Sequence, residues 1–361
     1  MSARLSGTER VLVRAPSWLG DFVASEPSLR ALHDHAERAG AGRALALAAP
    51  ARFLALLEGR FRGMERVPIE AGAGEHAAGW RERDVAVLLN GSWRSAWCAW
   101  RAGIPARAGF ARGGRAGLLT HPWTPARESG GVPLGLGRAG RFPRYLPRPF
   151  GAVCAELLAG LGVAVRDRAP RLVVLERART QAEGRLELSG MKRGEPFVLA
   201  NAGARAGSAK GFPPEAFAAV LDDLARRVDL PVVLACAPRE EAAARETAAR
   251  CTRARTVLLA DPPVELAELA ALSSIARLAI GPDNGARHVA QALGTPCVVL
   301  CGPTDPRHTA EHGESTRVFR VEVPCGPCHL ETCPLPAERN HACMRRIDPA
   351  RVAECAAELL R

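Results

Sequence analysis

Residues 279–306, AIGPDNGARHVAQALGTPCVVLCGPTDP, constrain the fold of this chain more than any other stretch. An apolar run ending at Ile280 breaks on Gly281-Pro282, and polar Asp283 and Asn284 precede an apolar-periodic run through His288, Ala292 and Leu293. Gly294 stops that run, and residues 296–300 give a second β-branched run that ends on Gly302-Pro303. The order strand, helix, strand is a βαβ unit. Open α/β sheets bind ligands outside the carboxyl ends of their strands, where both turns fall, so Asp283, Asn284 and Gly285 would line a binding crevice. A helix starting near Asn284 offers unpaired N–H groups and the positive end of its dipole to an anion such as phosphate. The alternative is plainer: Asp283 and Asn284 only cap the helix, and His288 faces the core.

The remaining chain extends that pattern. At 361 residues it is long enough for two domains, each with its own core. Residues 10–15 read as a first strand, 16–21 as a loop and 22–33 as a helix. Strands at 44–49, 64–69 and 84–89 follow, with a helix at 51–58 and a Trp-bearing segment at 93–100. From 103 to 149 the pattern dissolves into Gly, Pro and Arg, as in long functional loops. A helix at 150–161 and a strand at 171–175 lead to a junction near 170–190. The second half alternates again: strands at 197–201, 232–236 and 256–259, helices at 214–227, 240–250 and 264–272, then the βαβ unit. Both halves, 1–175 and 176–361, therefore read as doubly wound α/β Rossmann-like domains with parallel sheets.

Composition narrows the partners. No apolar run reaches the roughly 20 residues of a membrane span, and the opening MSARLSGTERVLV leads into a strand without a signal-peptide pattern, so a cytoplasmic location is expected. The net charge of +11 is carried almost wholly by arginine, the lysines being Lys192 and Lys210. Such a surface favours anionic partners: phosphorylated sugars or an anionic membrane face. The arginines are scattered rather than interleaved with aromatics, so nucleic acid is not expected.

Three separated motifs in order carry a resemblance. RVLVRAPSWLGDFVASEPSLRAL, NAGARAGSAKGFPPEAFAAV and GPDNGARHVAQALGTPCVVLCGPTDP together resemble the heptosyltransferases of glycosyltransferase family 9, closest to their heptosyltransferase II branch. The departures are Asn284, where Ser or Thr is usual, Arg287 inside the donor helix, and Phe212 in place of the commoner Trp. The resemblance implies a GT-B fold, two Rossmann-like domains facing across a cleft. It implies an inverting, metal-independent enzyme that moves a heptose from ADP-heptose to the inner core of lipopolysaccharide, at the cytoplasmic face of the inner membrane. The same layout also serves sugar-nucleotide epimerases and non-catalytic nucleotide-sugar or metal-binding proteins.

The resemblance also distributes roles. Asp21 would be the general base for the acceptor hydroxyl; its alternative is a helix cap. Lys210 would meet the departing diphosphate, or else be a solvated loop lysine. Ala202, Gly203, Ala204, Asp283, Asn284, Gly285, His288 and Thr304 would complete the donor cradle. Either Glu240 or Glu241 would accept the ribose hydroxyls, unless both merely favour a helix dipole. On the acceptor side stand Ser17, Trp18 and Gly20, with Arg94, Arg107, Arg112 and Arg115 as candidate cations for an anionic glycolipid.

Eleven cysteines in a chain with no export pattern suggest reduced thiols or a metal rather than disulfides. Cys325, Cys328, Cys333 and Cys343 have the spacing C-x2-C-x4-C-x9-C, with His329 and His341 inside. Four thiolates so spaced can enclose a structural zinc ion; unliganded thiols, a disulfide or an iron-sulfur cluster are the other readings. Catalysis itself calls for no cofactor.

Overall fold

The computed structural model describes residues 4–40, 44–70, 75–128, 144–203, 208–309 and 315–361. The chain divides into two compact units, Met1–Arg127 with Arg148–Val173, and Glu128–Pro147 with Val174–Arg361.

The first unit begins with β1 (Val11–Arg14), α1 (Leu19–Ala24), α2 (Glu26–Arg38), β2 (Leu45–Pro50), α3 (Ala51–Leu54) and β3 (Glu65–Ile69). β4 (Val85–Leu88), α4 (Trp93–Arg101), β5 (Ala106–Phe110) and β6 (His121–Trp123) follow. Six parallel strands form a sheet in the order β3-β2-β1-β4-β5-β6. The central strands VLVR and VAVL are buried at every position, as a sheet covered on both faces requires. The prolines inside strands, Pro68 and Pro122, sit in the edge strands β3 and β6, where a missing N–H costs no ladder bond. The short strands β7 (Arg127–Glu128) and β8 (Arg144–Tyr145) pair only with each other, and α5 (Phe150–Gly160) returns to the first unit.

The second unit comprises α6 (Glu176–Leu188), β9 (Val198–Asn201), α7 (Pro214–Arg227), β10 (Val232–Ala235), α8 (Glu241–Arg250), β11 (Thr256–Leu259) and α9 (Leu266–Ile275). It continues with β12 (Leu278–Pro282), α10 (Gly285–Ala292), β13 (Cys297–Leu300), β14 (Thr316–Phe319), α11 (Ala342–Arg345) and α12 (Pro349–Leu359). Its sheet, β11-β10-β9-β12-β13-β14, repeats the order of the first. One face carries Phe217, Val220, Leu221 and Leu224 of α7 against Val352, Ala353 and Ala356 of α12; Ala182, Leu186, Ala271 and Leu272 of α6 and α9 cover the other.

Four sequence expectations change. The helix expected at 22–33 starts three residues earlier and breaks at Ser25, because Pro27 opens a new helix at its first turn. The segment 103–149 contains β5 and β6, edge-side strands too short and Gly/Pro-rich to show alternation. No strand forms at 171–175: the Arg171 N–H donates to Glu26 Oε2 at 2.9 Å, and Arg30 holds the preceding Asp167 at 3.0 Å, so side chains rather than a ladder satisfy this stretch. Finally, α6 occupies the junction. It buries a narrow row of Ala182 and Leu186, with Ala178 beside it, too small to register as amphipathic.

Candidate functional site

In both sheets the strand order reverses between two adjacent strands, β1 and β4 in the first, β9 and β12 in the second. The carboxyl ends at such a reversal leave a crevice that connecting loops cannot cover.

In the second unit the turn after β9 and the start of α10 meet there. Asn284 is the N-cap of α10: its Oδ1 accepts from Ala286 N at 3.0 Å. Its amide nitrogen donates to Asn201 Oδ1 at 2.8 Å and to the Gly203 carbonyl at 3.1 Å. A serine could cap the helix but could not also supply both donors, so the asparagine ties the two loops together. Gly203 packs directly under the Glu240 carboxylate: a Cβ there would lie 1.7 Å from Glu240 Oε2 and would displace it. Glu240, the N-cap residue of α8, is thereby placed against the Ala202-Gly203 turn, while Glu241 lies in the helix's first turn. Burial raises the Glu240 carboxyl above its ordinary range, opposed by the Ala237 N–H and assisted by the charge of Glu241. Ala204 lies outside the described residues.

Asp283 is the hub of this cluster. Its Oδ1 accepts from Arg287 Nε and Nη2 at 2.9 and 2.7 Å, and its Oδ2 accepts from the Thr304 hydroxyl at 2.6 Å. Burial alone would lift its carboxyl, but Arg287, Lys210, Thr304 and the buried His288 hold it well below the usual carboxylate range. Both oxygens are occupied, so Asp283 positions its neighbours. Lys210 Nζ donates to the Asp283 main-chain oxygen at 2.8 Å, and its side chain stays 37% exposed. Phe212, packed at 6.0 Å against Phe217, anchors the lysine loop in the core. A partly solvated ammonium thus stands beside a capped helix N-terminus, which together suit a diphosphate.

The Cys-rich segment braces these loops. Ala209 N donates to the Glu331 carbonyl at 2.7 Å and His329 N to that of Pro303 at 2.8 Å. Gly302 abuts Cys343 and Met344 so closely that a Cβ would lie 2.3 Å from the methionine sulfur. Burial, then His308, pushes the His329 imidazole down to about 4, so it stands neutral there. The Cys343 thiol is pushed up to about 11 by burial and then by Cys328, Cys325 and Cys333, which places the four thiols in one neighbourhood. Among the described residues, however, no three His, Cys, Asp or Glu side chains are arranged to hold a metal ion. The brace itself rests on main-chain bonds and packing.

In the first unit, Asp21 is the third residue of α1, after β1. The N-cap is Trp18, whose side chain makes no cap hydrogen bond, and Asp21 is the acidic residue of the helix's first turn. Trp18 is 70% exposed, and Ser17 Oγ accepts from Arg14 Nη2 at 2.9 Å. Behind them lies a buried polar network. Arg14 and the Ser95 hydroxyl each reach Glu75 Oε1 at 2.8 Å, and Asn90 Nδ2 donates to Ser95 Oγ at 2.6 Å. Arg115 is fully enclosed, its guanidinium donating to the carbonyls of Phe110, Asn90 and Ser92, and burial lowers it to about 10. Arg107 is likewise committed to the carbonyls of Leu118, Ile104 and Pro105. These two arginines, expected to face an acceptor, hold loops instead; Arg112 lies over the Phe110 ring at 5.6 Å, and Arg94 is exposed on α4.

Residues 152–338 match the sequence pattern of glycosyltransferase family 9 (heptosyltransferase). The chain belongs to that family. Among relatives, lipopolysaccharide heptosyltransferase 2 of Escherichia coli K12 is 27% identical over 357 residues, covering 96% of this chain and 97% of the relative. Lipopolysaccharide heptosyltransferase 1 of Pseudomonas aeruginosa is 33% identical over 127 residues, 32% of this chain and 36% of the relative. In structure, the family 9 glycosyltransferase of Veillonella parvula superposes with a TM-score of 0.75 at 18% identity, covering 99% of each chain. E. coli ADP-heptose lipopolysaccharide heptosyltransferase II does so with 0.68 at 24% identity, over 97% and 98%. The fold is accordingly GT-B, as the sequence resemblance implied.

Within this family 9 chain, three site residues escaped sequence reading. Asn201 organises Gly203 and Asn284, and Arg14 and Glu75 form the buried pair of the first unit. Asp283 and Arg287, by contrast, carry a legible signal: opposite charges four residues apart across a helix start.

Proposed function

We propose that the protein transfers a heptose from ADP-heptose to the inner core of lipopolysaccharide, with inversion and without a metal ion. The observation that carries this reading is the cluster around Lys210, Asp283 and Asn284 in a chain of glycosyltransferase family 9. The α10 N-terminus and the Lys210 ammonium offset the charge of the departing diphosphate, and Glu240 accepts the ribose hydroxyls. Asp21 takes the proton of the acceptor hydroxyl as that oxygen bonds to the sugar's anomeric carbon; the bond from carbon to phosphate oxygen breaks, and ADP leaves with the electron pair. No described helix is long and apolar enough to cross a membrane. The reading places the enzyme at the cytoplasmic face of the inner membrane as a peripheral protein, meeting its glycolipid acceptor there.

Asp21→Asn keeps the shape of the side chain and removes the base. Transfer, assayed with ADP-heptose and purified inner-core glycolipid, should fall by about 100- to 10,000-fold, with ADP affinity and melting temperature unchanged and the wild-type rate insensitive to EDTA. Wild-type turnover in the variant would eliminate Asp21 as base, and failure of the parent chain to bind ADP would eliminate the donor reading.

A further inference from the structure

Beside the Arg14–Glu75 pair lies a pocket of about 320 Å³ lined by Glu75, His76, Ala77, Arg94, Trp97, Cys98 and Arg101. The Glu75 side chain is 6% exposed, and its two oxygens are treated unequally. Oε1 takes both Arg14 and Ser95, whereas Oε2, equally buried, has no hydrogen-bond partner. A buried carboxylate oxygen left unmet is costly and is relieved by any donor that reaches it. Arg94 is exposed in the first turn of α4 and Arg101 at its last residue, and neither has an ion pair among the described residues. Trp97 lies between them, 37% exposed, stacked on Trp93 at 5.3 Å and tilted by 32° against Trp100 at 4.8 Å, so that its neighbours crowd its faces and its edge is left to the pocket.

We propose that this pocket binds a sugar ring bearing a phosphate or carboxylate: a hydroxyl donates to Glu75 Oε2, the anion meets Arg94 and Arg101, and the ring's C–H groups pack against the exposed edge of Trp97. Each wall supplies a different requirement. Two uncompensated guanidinium groups select an anion, the exposed edge of Trp97 gives an apolar contact to the C–H groups of a pyranose, and an unpartnered carboxylate oxygen selects a hydroxyl over a bare ion. The exposed side chains of His76, Arg94 and Arg101 can yield to an entering ring, while Glu75 is held by Arg14. As an acceptor subsite the pocket rests on the transferase reading above; as a binding site it stands on its own residues.

The test is calorimetric titration of the full chain with glucose 6-phosphate, glucuronate, glucose and inorganic phosphate. The two anionic sugars should bind at least tenfold more tightly than glucose or phosphate, and Arg94→Ala/Arg101→Ala should abolish that gap. Glu75→Gln, with its melting temperature monitored, should weaken glucose 6-phosphate at least fivefold while leaving phosphate unchanged. Phosphate binding as tightly as glucose 6-phosphate would mean an anion patch only, and a gap that survives the double substitution would place the site elsewhere; either overturns the proposal. A parallel ADP titration of the same samples reads the donor site alone, so loss of the transferase reading and loss of this pocket are told apart.

Discussion

At the strand reversal of the second unit an ammonium, a capped helix start and a saturated aspartate converge, whereas at the corresponding reversal of the first unit a carboxylate on α1 stands before a buried network that includes a half-satisfied glutamate. The strand order is the same in both sheets. What differs is how the polar groups are closed. Asp283 has donors on both oxygens and can only position what surrounds it; Glu75 has donors on one. A repeated scaffold thus supplies two crevices, and the side chains at the loop ends give one a cationic, donor-rich mouth and the other a buried carboxylate with an acceptor to spare.

The largest effect that would break this contrast is at Lys210. Lys210→Ala should lower kcat by about 100- to 1,000-fold, the range for removing one preorganised charge stabiliser, with little change in melting temperature because the side chain is 37% exposed. Lys210→Arg keeps the charge but not the compact reach to the Asp283 carbonyl, and should recover only part of the rate. A Lys210→Ala enzyme with wild-type kcat would mean that the helix start alone carries the diphosphate.

The sequence pattern made the second unit legible almost strand by strand, because its buried strands and helix caps are local features; Asp348, for instance, stands before Pro349 and caps α12, accepting from Ala350 N. The first unit was harder to read past residue 103. β5 and β6 are defined by their place beside β4 rather than by their own composition. The site residues divide in the same way. Lys210, Asp283 and Asn284 stand in motifs, whereas Glu75 lies 61 residues from its partner Arg14, and no local pattern announces such a pair. Arg107 and Arg115 mislead for a related reason: an arginine in a Gly-rich stretch looks solvated until the carbonyls it serves are known.

A smaller effect sharpens the donor side. Burial raises the Glu240 carboxyl, so the folded protein retains a proton there that the unfolded chain has already released. The resulting stability cost grows as pH rises from the unfolded value of about 4.5 through the raised folded value, and is fully present at pH 8. Glu240→Gln should therefore melt higher than the parent at pH 8, with the difference closing as pH falls towards 4.5, while ADP-heptose affinity drops about tenfold, as for loss of a charge-assisted hydrogen bond. A variant that melts lower at pH 8, or binds donor as tightly as the parent, would remove Glu240 from the site.

The smallest effect separates scaffold from site. Asp222, on α7, accepts from the N–H groups of Thr252, Arg253 and Ala254 at 2.8, 2.9 and 2.9 Å and from the Thr252 hydroxyl at 2.7 Å, tying the helix to the segment before β11. Burial is the largest single influence and opposes ionisation, but these donors together outweigh it and hold the carboxyl down at about 2. Its folded value lies below its unfolded one, so the stability it contributes is present above the ordinary carboxylate range and is lost as pH falls from about 3.8 through about 2. The group is largely in water, which screens it, so Asp222→Ala should cost about 1–2 kcal/mol at pH 7, a fall of roughly 2–8 °C in melting temperature. The deficit relative to the parent should shrink as pH falls towards about 2 and vanish below it, where the parent carboxyl is itself protonated. ADP affinity should not move, because the tie lies at the amino ends of β10 and β11, away from the carboxyl ends where Lys210 and Asn284 meet. An altered ADP affinity would mean that the sheet's loops are coupled end to end, and the contrast between the two crevices would then belong to whole units rather than to the residues at their mouths.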